Sequence, residues 1–230
     1  MKHYVLTRWN NIDTKRDVYT LVKDPERWMR ERVVLFEKYC LPAMMSQTDK
    51  DFIWVLGFSK DTPKKIYEKY QKLPNIRVVF DYPRDHIEGL YGTEIKKNDW
   101  IITSRLDNDD SVSPHYIRQL HEQLTYKEEV IDFSGYQYDT QTDKWYHSPY
   151  HDPVSPFLSL VENVKDSVVT AMRFQHDRIA THYPGRFIDE PIYCQVIHGD
   201  NLACRIRGVP TNQKHDNEFW NYSTTSNDPR

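Results

Sequence analysis

Glycine is scarce in this chain, with 7 residues in 230. Neither a GxGxxG turn nor a Walker-type loop occurs. Both devices need glycine where backbone closes on a phosphate, so a dinucleotide-binding Rossmann domain and a P-loop NTPase are excluded. Cysteine is scarcer still. Cys40, Cys194 and Cys204 are odd in number, widely spaced and form no CxxC pair. That removes the zinc knuckle and the disulfide framework and favours a reducing compartment. No apolar run approaches the roughly 18 residues of a membrane span. The opening MKHYVLTRWN holds no secretory apolar core. A cytoplasmic protein with no transmembrane segment is expected. Positive charge is not in excess either: the formal net charge is -3, which gives no general affinity for nucleic acid.

Aromatic residues, by contrast, are plentiful, with 16 Tyr and 6 Trp. That area is too large for a disordered chain. It suits either an aromatic core or a surface that grips sugars, because Tyr and Trp combine a flat apolar face with a polar edge.

Along the first half one pattern occurs three times: a short apolar run, a polar turn, a capping residue, proline, then helical spacing. The runs are Tyr4–Leu6, Phe52–Phe58 and Trp100–Leu106, and the cap–proline pairs are Asp24-Pro25, Thr62-Pro63 and Ser113-Pro114. Asp, Thr and Ser cap helices well, and proline at the first helical position lacks only an N–H that would be orphaned anyway. Trp28, Val33, Phe36 and Cys40 fall roughly on one helical face, as do Ile66, Tyr70 and Leu73, and Ile117, Leu120 and Leu124. Another strand is expected over Ile76–Phe80. This alternation predicts an α/β fold, a single domain with a mainly parallel central sheet flanked by helices. In the second half, Val130–Tyr138 reads as a strand with Lys144–Tyr146 pairing back on it. Phe157–Glu162 reads as a short helix, Ser167–Phe174 as a strand, and Glu190–Ile197 is ambiguous. The polar stretch 209–230 is expected to be a tail or a lid.

The most informative segment is WIITSRLDNDDSVSP, Trp100–Pro114. Three carboxylates, Asp107, Asp109 and Asp110, fall within four residues and repel one another unless a cation sits among them. Hard divalent cations such as Mn²⁺ or Mg²⁺ prefer carboxylate and phosphate oxygens. A strand ending in such a cluster, at the carboxyl edge of an α/β sheet, is where a nucleotide diphosphate and its metal would dock. In an extended segment alternate side chains share a face, so Asp107 and Asp109 are expected to look into one cleft. Asp110 then points away, toward the start of the next helix.

YVLTRWN (4–10), LFEKYCLPAMMSQ (35–47), FIWVLGF (52–58), TSRLDNDDSVSP (103–114) and QVIHGDN (195–201) together resemble a glycosyltransferase of the GT-A type, and more narrowly the bacterial "putative rhamnosyltransferase" family. The resemblance implies a GT-A-like domain over 1–208, with a nucleotide-sugar part to about 114 and an acceptor part beyond. It implies a sugar transferred from a nucleoside-diphosphate donor to a carbohydrate or other hydroxyl acceptor, metal-dependent and inverting, in surface polysaccharide synthesis. Asp109, with Asp107 and His198, is implied as metal-binding, with Asp200 or Asn201 as substitutes for His198. Thr7, Arg8 and Trp9 meet the nucleotide, with Asp61 a further candidate for the base. Trp9 either stacks on a pyrimidine or packs in the core, and Arg105 pairs with Asp107 or with the diphosphate. Asp189 and Glu190 are candidates for the base that takes the acceptor proton, with His176 as their rival. Two other classes compete: a non-catalytic Ca²⁺-dependent carbohydrate-binding protein, and another metal-dependent nucleotide-processing enzyme. The α/β alternation argues against the first, since lectin-like modules are mostly all-β.

Overall fold

The computed structural model describes residues 1–11, 16–148, 155–199, 201 and 205–220. The chain opens with β1 (Lys2–Arg8), followed by α1 (Val18–Leu21) and α2 (Pro25–Leu35). A π-helical turn, Phe36–Cys40, joins α2 to α3 (Leu41–Met45). Next come β2 (Ile53–Gly57), α4 (Lys64–Tyr67), β3 (Ile76–Val79), α5 (Pro83–Glu88) and β4 (Trp100–Arg105). Asp24 caps α2 as expected, accepting from the Arg27 N–H at 2.9 Å with Pro25 in the first turn. At Thr62-Pro63 the helix starts one residue later, with Pro63 itself as the cap. The four strands pair in parallel in the order β3-β2-β1-β4.

Strand periodicity divides β1 between two cores. Tyr4 and Leu6 pack with Val55 and Ile101 on one face, and Val5 and Trp9 pack with Phe36 and Trp54 on the other. Gly57 ends β2 where a Cβ would lie 2.6 Å from Pro83 Cδ and 2.9 Å from the Asp81 carbonyl. That close approach seats the start of α5, and with it Asp81 and Tyr82, against the carboxyl end of the sheet.

Beyond β4 the sheet is mixed rather than mainly parallel. The further elements are β5 (Ser111–Val112), α6 (Tyr116–Glu122), β6 (Glu129–Asp139), β7 (Lys144–His147), β8 (Ser159–Asn163) and β9 (Gly185–Ile197). β7 pairs antiparallel with β6, as expected. The expected helix over Phe157–Glu162 is instead the buried strand β8, inserted antiparallel between β4 and β6. A strand buried on both faces reads as a plain apolar run, which periodicity cannot tell from a helix. Ser167–Phe174 forms no strand. Val168 and Met172 cover the Tyr4–Leu6 face, and the Ala171 N–H donates to Thr103 Oγ1 at 2.8 Å. β9 pairs parallel with β6 through a bulge: Ile188 faces Phe133 and Pro191 faces Ser134, leaving Asp189 and Glu190 unpaired between them.

The expected tail belongs in part to the fold. Two short elements, β10 (Val209–Thr211) and α7 (Asp216–Phe219), follow β9, and β10 pairs with β7. Phe219 and Trp220 are buried with Tyr39 and Trp145, and the two tryptophan rings stack 5.1 Å apart. Residues 221–230 lie outside the described residues, as does Cys204, while Cys40 and Cys194 are free and buried. Among the described residues no helix is long and apolar enough to cross a membrane.

Candidate active site

The acidic segment leaves β4 at the carboxyl end of the parallel strands and turns at once. The Asp110 N–H donates to the Asp107 carbonyl at 3.3 Å, so the segment is not extended and its carboxylates part company. Asp107 Oδ1 accepts from Arg8 Nη2 at 2.9 Å. Asp109 Oδ2 accepts from Arg32, lies 2.9 Å from His198 Nε2 and 3.5 Å from Asn201 Nδ2. Asp110 Oδ1 accepts from the Val196 N–H at 2.8 Å, which ties the loop to β9 rather than to the next helix. Asn108 completes the turn, taking a hydrogen bond from Arg32 at 3.2 Å and donating to the Trp9 carbonyl. β5 then pairs with β9, and Ser111 Oγ donates to the Phe219 carbonyl at 2.8 Å.

Repulsion among the carboxylates is relieved differently at each residue. Burial pushes the Asp109 carboxyl up, but the Arg32 guanidinium and the His198 contact outweigh it and hold it at about 2. Burial, reinforced by Asp109 and Asp107, lifts the Asp110 carboxyl well above its ordinary range and favours its neutral form. Asp107 has Arg8 as its partner, and that carboxylate, acting against burial, keeps Arg8 more firmly protonated than usual.

Arg105 is buried beside this pair. Burial first, and the Arg8 charge second, depress its guanidinium, while Asp107, Tyr82 and Asp177 act in the opposite direction. Its Nε is buried with no hydrogen-bond partner among the described residues. Two guanidiniums therefore stand near Asp107, with Asp177 acting on Arg105 from another side and a donor of Arg105 unspent. Alongside, at the ends of β1 to β3, a cleft of about 310 Å³ is lined by Asn11, Ser59, Asp61, Asp81 and Tyr82 among others.

The structure thus brings Arg8, Arg105, Asp107, Asp109 and His198 to one edge of the sheet, with Asp61 on the adjoining cleft. It does not bring the side chains of Thr7 and Trp9 there. Thr7 accepts from Trp54 Nε1 at 2.8 Å in the core, and Trp9, 1% exposed, lies stacked on Phe58 with Phe36 against its edge. The alternation that turns Arg8 to one face turns both neighbours to the other. Glu190 accepts from Gln119 on α6, and Asp189 is exposed. Eight residue steps, nearly all along β9, separate Glu190 from His198, about 26 Å at about 3.3 Å per residue. His176 precedes Asp177, one of the charges acting on Arg105. Asp200 lies outside the described residues. Arg32 is the participant that sequence reasoning missed. It had a signal: Met29, Arg32, Phe36 and Cys40 share the buried side of one helical run, and a charge on such a face needs a buried partner.

The fold and this edge define an α/β domain whose buried arginines and acidic loop meet at the carboxyl ends of parallel strands. The chain belongs to the protein family described as "Putative rhamnosyl transferase", which it matches over residues 13–209. It is by that description a glycosyltransferase family member. Among solved structures the chain is similar to S. aureus TarS 1-349 in complex with UDP, at 13% identity and a TM-score of 0.49, covering 86% of this chain and 61% of that one. It is similar also to S. aureus TarS 1-349, at 12% identity and 0.49, covering 85% and 60%. For S. aureus TarS the values are 12% and 0.49, covering 86% and 37%. The chain therefore spans about three fifths or less of the length of these TarS chains. No curated protein sequence matches the chain.

Proposed function

We propose that the protein transfers a glycosyl group from a nucleoside-diphosphate sugar to a hydroxyl of a carbohydrate or other acceptor, with inversion and with a divalent cation, Mn²⁺ or Mg²⁺. The observation that best supports this is the convergence of Arg8, Arg105 and Asp107 with the Asp109–His198 pair at one sheet edge. The two neighbouring guanidiniums and the unspent Arg105 donor suit a diphosphate. The adjoining cleft with Asp61 suits the nucleoside.

Among the described residues no three of His, Cys, Asp and Glu form a complete metal site. The set nevertheless fits a cation shared with a substrate, since Mg²⁺ commonly takes one or two carboxylates and completes its shell with phosphates and water. Asp109 and His198 would hold it, with imidazole acceptable to Mn²⁺. When bound, such a cation offsets charge that builds on the departing diphosphate. Arg8 and Arg105 orient that group and add to the same stabilisation. For the acceptor proton we place the base on the His176–Asp177 segment, beside Arg105, rather than on the distant Asp189–Glu190 bulge.

The test is a thermal-shift panel of UDP, dTDP and GDP, with and without Mn²⁺, on the wild type and Asp109→Ala. A ligand at a hundredfold excess over its dissociation constant adds about 2.7 kcal/mol. A Mn²⁺-dependent shift with one nucleotide, absent from Asp109→Ala, is expected. A shift with Ca²⁺ or free glycan, and none with any nucleotide, would replace this reading by that of a carbohydrate-binding protein.

A further inference from the structure

Arg32 stands where a buried cation is least expected. It lies on the inner face of α2 at 5% exposure, with its guanidinium 4.6 Å over the Trp28 ring. It reaches two consecutive residues of the acidic loop, Asn108 Oδ1 at 3.2 Å and Asp109 Oδ2. His198 and Asn201 approach the same Asp109 oxygen from the far end of β9. A buried carboxylate without a compensating charge is costly, and Arg32 supplies that compensation within the chain.

We propose that Arg32 is a positioning residue that acts as the resident counter-ion of Asp109 and competes with a divalent cation for it. This rests on the reading of Asp109 and His198 as cation ligands. Two positive charges on one buried carboxylate repel, so cation binding and the Arg32–Asp109 contact oppose each other. By linkage each weakens the other equally. When Asp109 is taken, Arg32 keeps two of its three partners, Asn108 Oδ1 and the Trp28 ring. The loop therefore stays anchored to α2 through Asn108 while the guanidinium slides off Asp109. Asn108 also donates to the Trp9 carbonyl at the end of β1, so the anchor ties the loop to the strand that supplies Arg8. The arrangement keeps the loop ordered when no donor is bound and makes tight cation binding depend on the extra ligands a diphosphate brings.

The experiment is a Mn²⁺ titration of the whole chain, with Mn²⁺ alone, followed by the electron paramagnetic resonance signal of the free ion. Arg32→Gln keeps a hydrogen-bond donor toward Asn108 and removes the charge. It is expected to bind Mn²⁺ about tenfold tighter than the wild type or better, within the usual range of such couplings. The Arg32→Gln, Asp109→Asn double variant is expected to lose that binding. Equal or weaker binding by Arg32→Gln, with Mn²⁺ still bound by the wild type, overturns the inference and leaves the cation site standing. No binding by wild type or Arg32→Gln, with Mn²⁺ alone and again with UDP added, overturns both. A measurement on the unmutated chain guards against a folding defect: saturation with diamagnetic Mg²⁺ is expected to shift the Arg32 Nε–H resonance, and a resonance that stays put overturns the inference.

Discussion

Lowering the pH from neutrality should destabilise this protein through one residue far from the acidic loop, His3. Its ring lies in a buried chain of hydrogen bonds whose direction is set from one end. Asp49, whose carboxyl sits below its ordinary range, can only accept, so His121 Nδ1 at 2.8 Å must carry a hydrogen. While the His121 ring is neutral, its Nε2 accepts from His3 Nδ1 at 3.1 Å, and His3 Nε2 accepts from Ser104 Oγ at 2.8 Å. Both His3 nitrogens are thus satisfied in the neutral ring, and a second ring proton would force the Ser104 hydroxyl to turn from donor to acceptor. Burial first, and His121 second, lower its pKa from 6.5 to about 3, against a smaller opposing pull from Asp49. Unfolded, the residue takes up its proton near 6.5; folded, it does not until about 3. Between these values the unfolded state binds more protons, so stability rises with pH. The contribution is present in full above 6.5 and is lost progressively toward 3. At about pH 5 the loss is about 2 kcal/mol, from about 1.4 kcal/mol per pH unit below the unfolded pKa. His3→Gln offers one donor and one acceptor in roughly the same places and does not titrate. Urea unfolding of both proteins at about pH 7.5 and about pH 5 isolates the term, because other titrations largely cancel in the difference. The stability gap between wild type and His3→Gln should change by about 2 kcal/mol to the disadvantage of the wild type at the lower pH. A gap constant to within about 0.5 kcal/mol would refute the reasoning that His3 is held neutral.

Two further outcomes follow from the same kind of reading. Glu162 carries the opposite sign: burial raises its carboxyl to about 7, against the Val169 N–H that both its oxygens accept at 3.0 Å, so its stabilising term is present below 4.5 and lost as pH rises through 7. Glu162→Gln should therefore gain stability relative to wild type at about pH 8 compared with about pH 5, as measured by urea unfolding. Trp9→Ala should cost about 3–5 kcal/mol, as for a large core aromatic, whereas Trp9→Phe should keep any nucleotide-induced thermal shift, because the ring packs on Phe58 and not on a ligand.

How much of this was visible beforehand depended on whether a segment's partners were near in the sequence. β1, β2 and β4 were legible because buried parallel strands are short apolar runs and their crossovers carry their own cap and proline signals. β8 was not, because FLSLVE is equally a helix until β4 and β6 close on it from both sides. Ser167–Phe174 has strand-like residues but meets the sheet face-on, so its β-branched side chains cover a core instead of entering a ladder. The polar stretch after β9 looked like a tail because its aromatics are few; Phe219 and Trp220 count only because Tyr39 and Trp145, from distant segments, wait for them.

The same distinction governs the candidate site. An acidic run announces itself, and the bare sequence poses the right question about it: what cation makes three neighbouring carboxylates tolerable. The sequence suggested one shared ion. The structure supplies a separate answer for each residue, Arg8 for Asp107, Arg32 and His198 for Asp109, and a raised carboxyl on a backbone N–H for Asp110. None of those partners lies within a turn of the motif, and His198 stands 89 residues away. Local spacing could not have paired them, but the burial pattern could have narrowed the search. A helix stripe of Met29, Phe36 and Cys40 with an arginine at its centre is an unpaid charge in an apolar face, and the densest run of carboxylates in the first half of the chain is the loop it reaches. Matching buried charge to surplus charge across segments, before any contact is known, is a stronger guide to such a site than the motif alone.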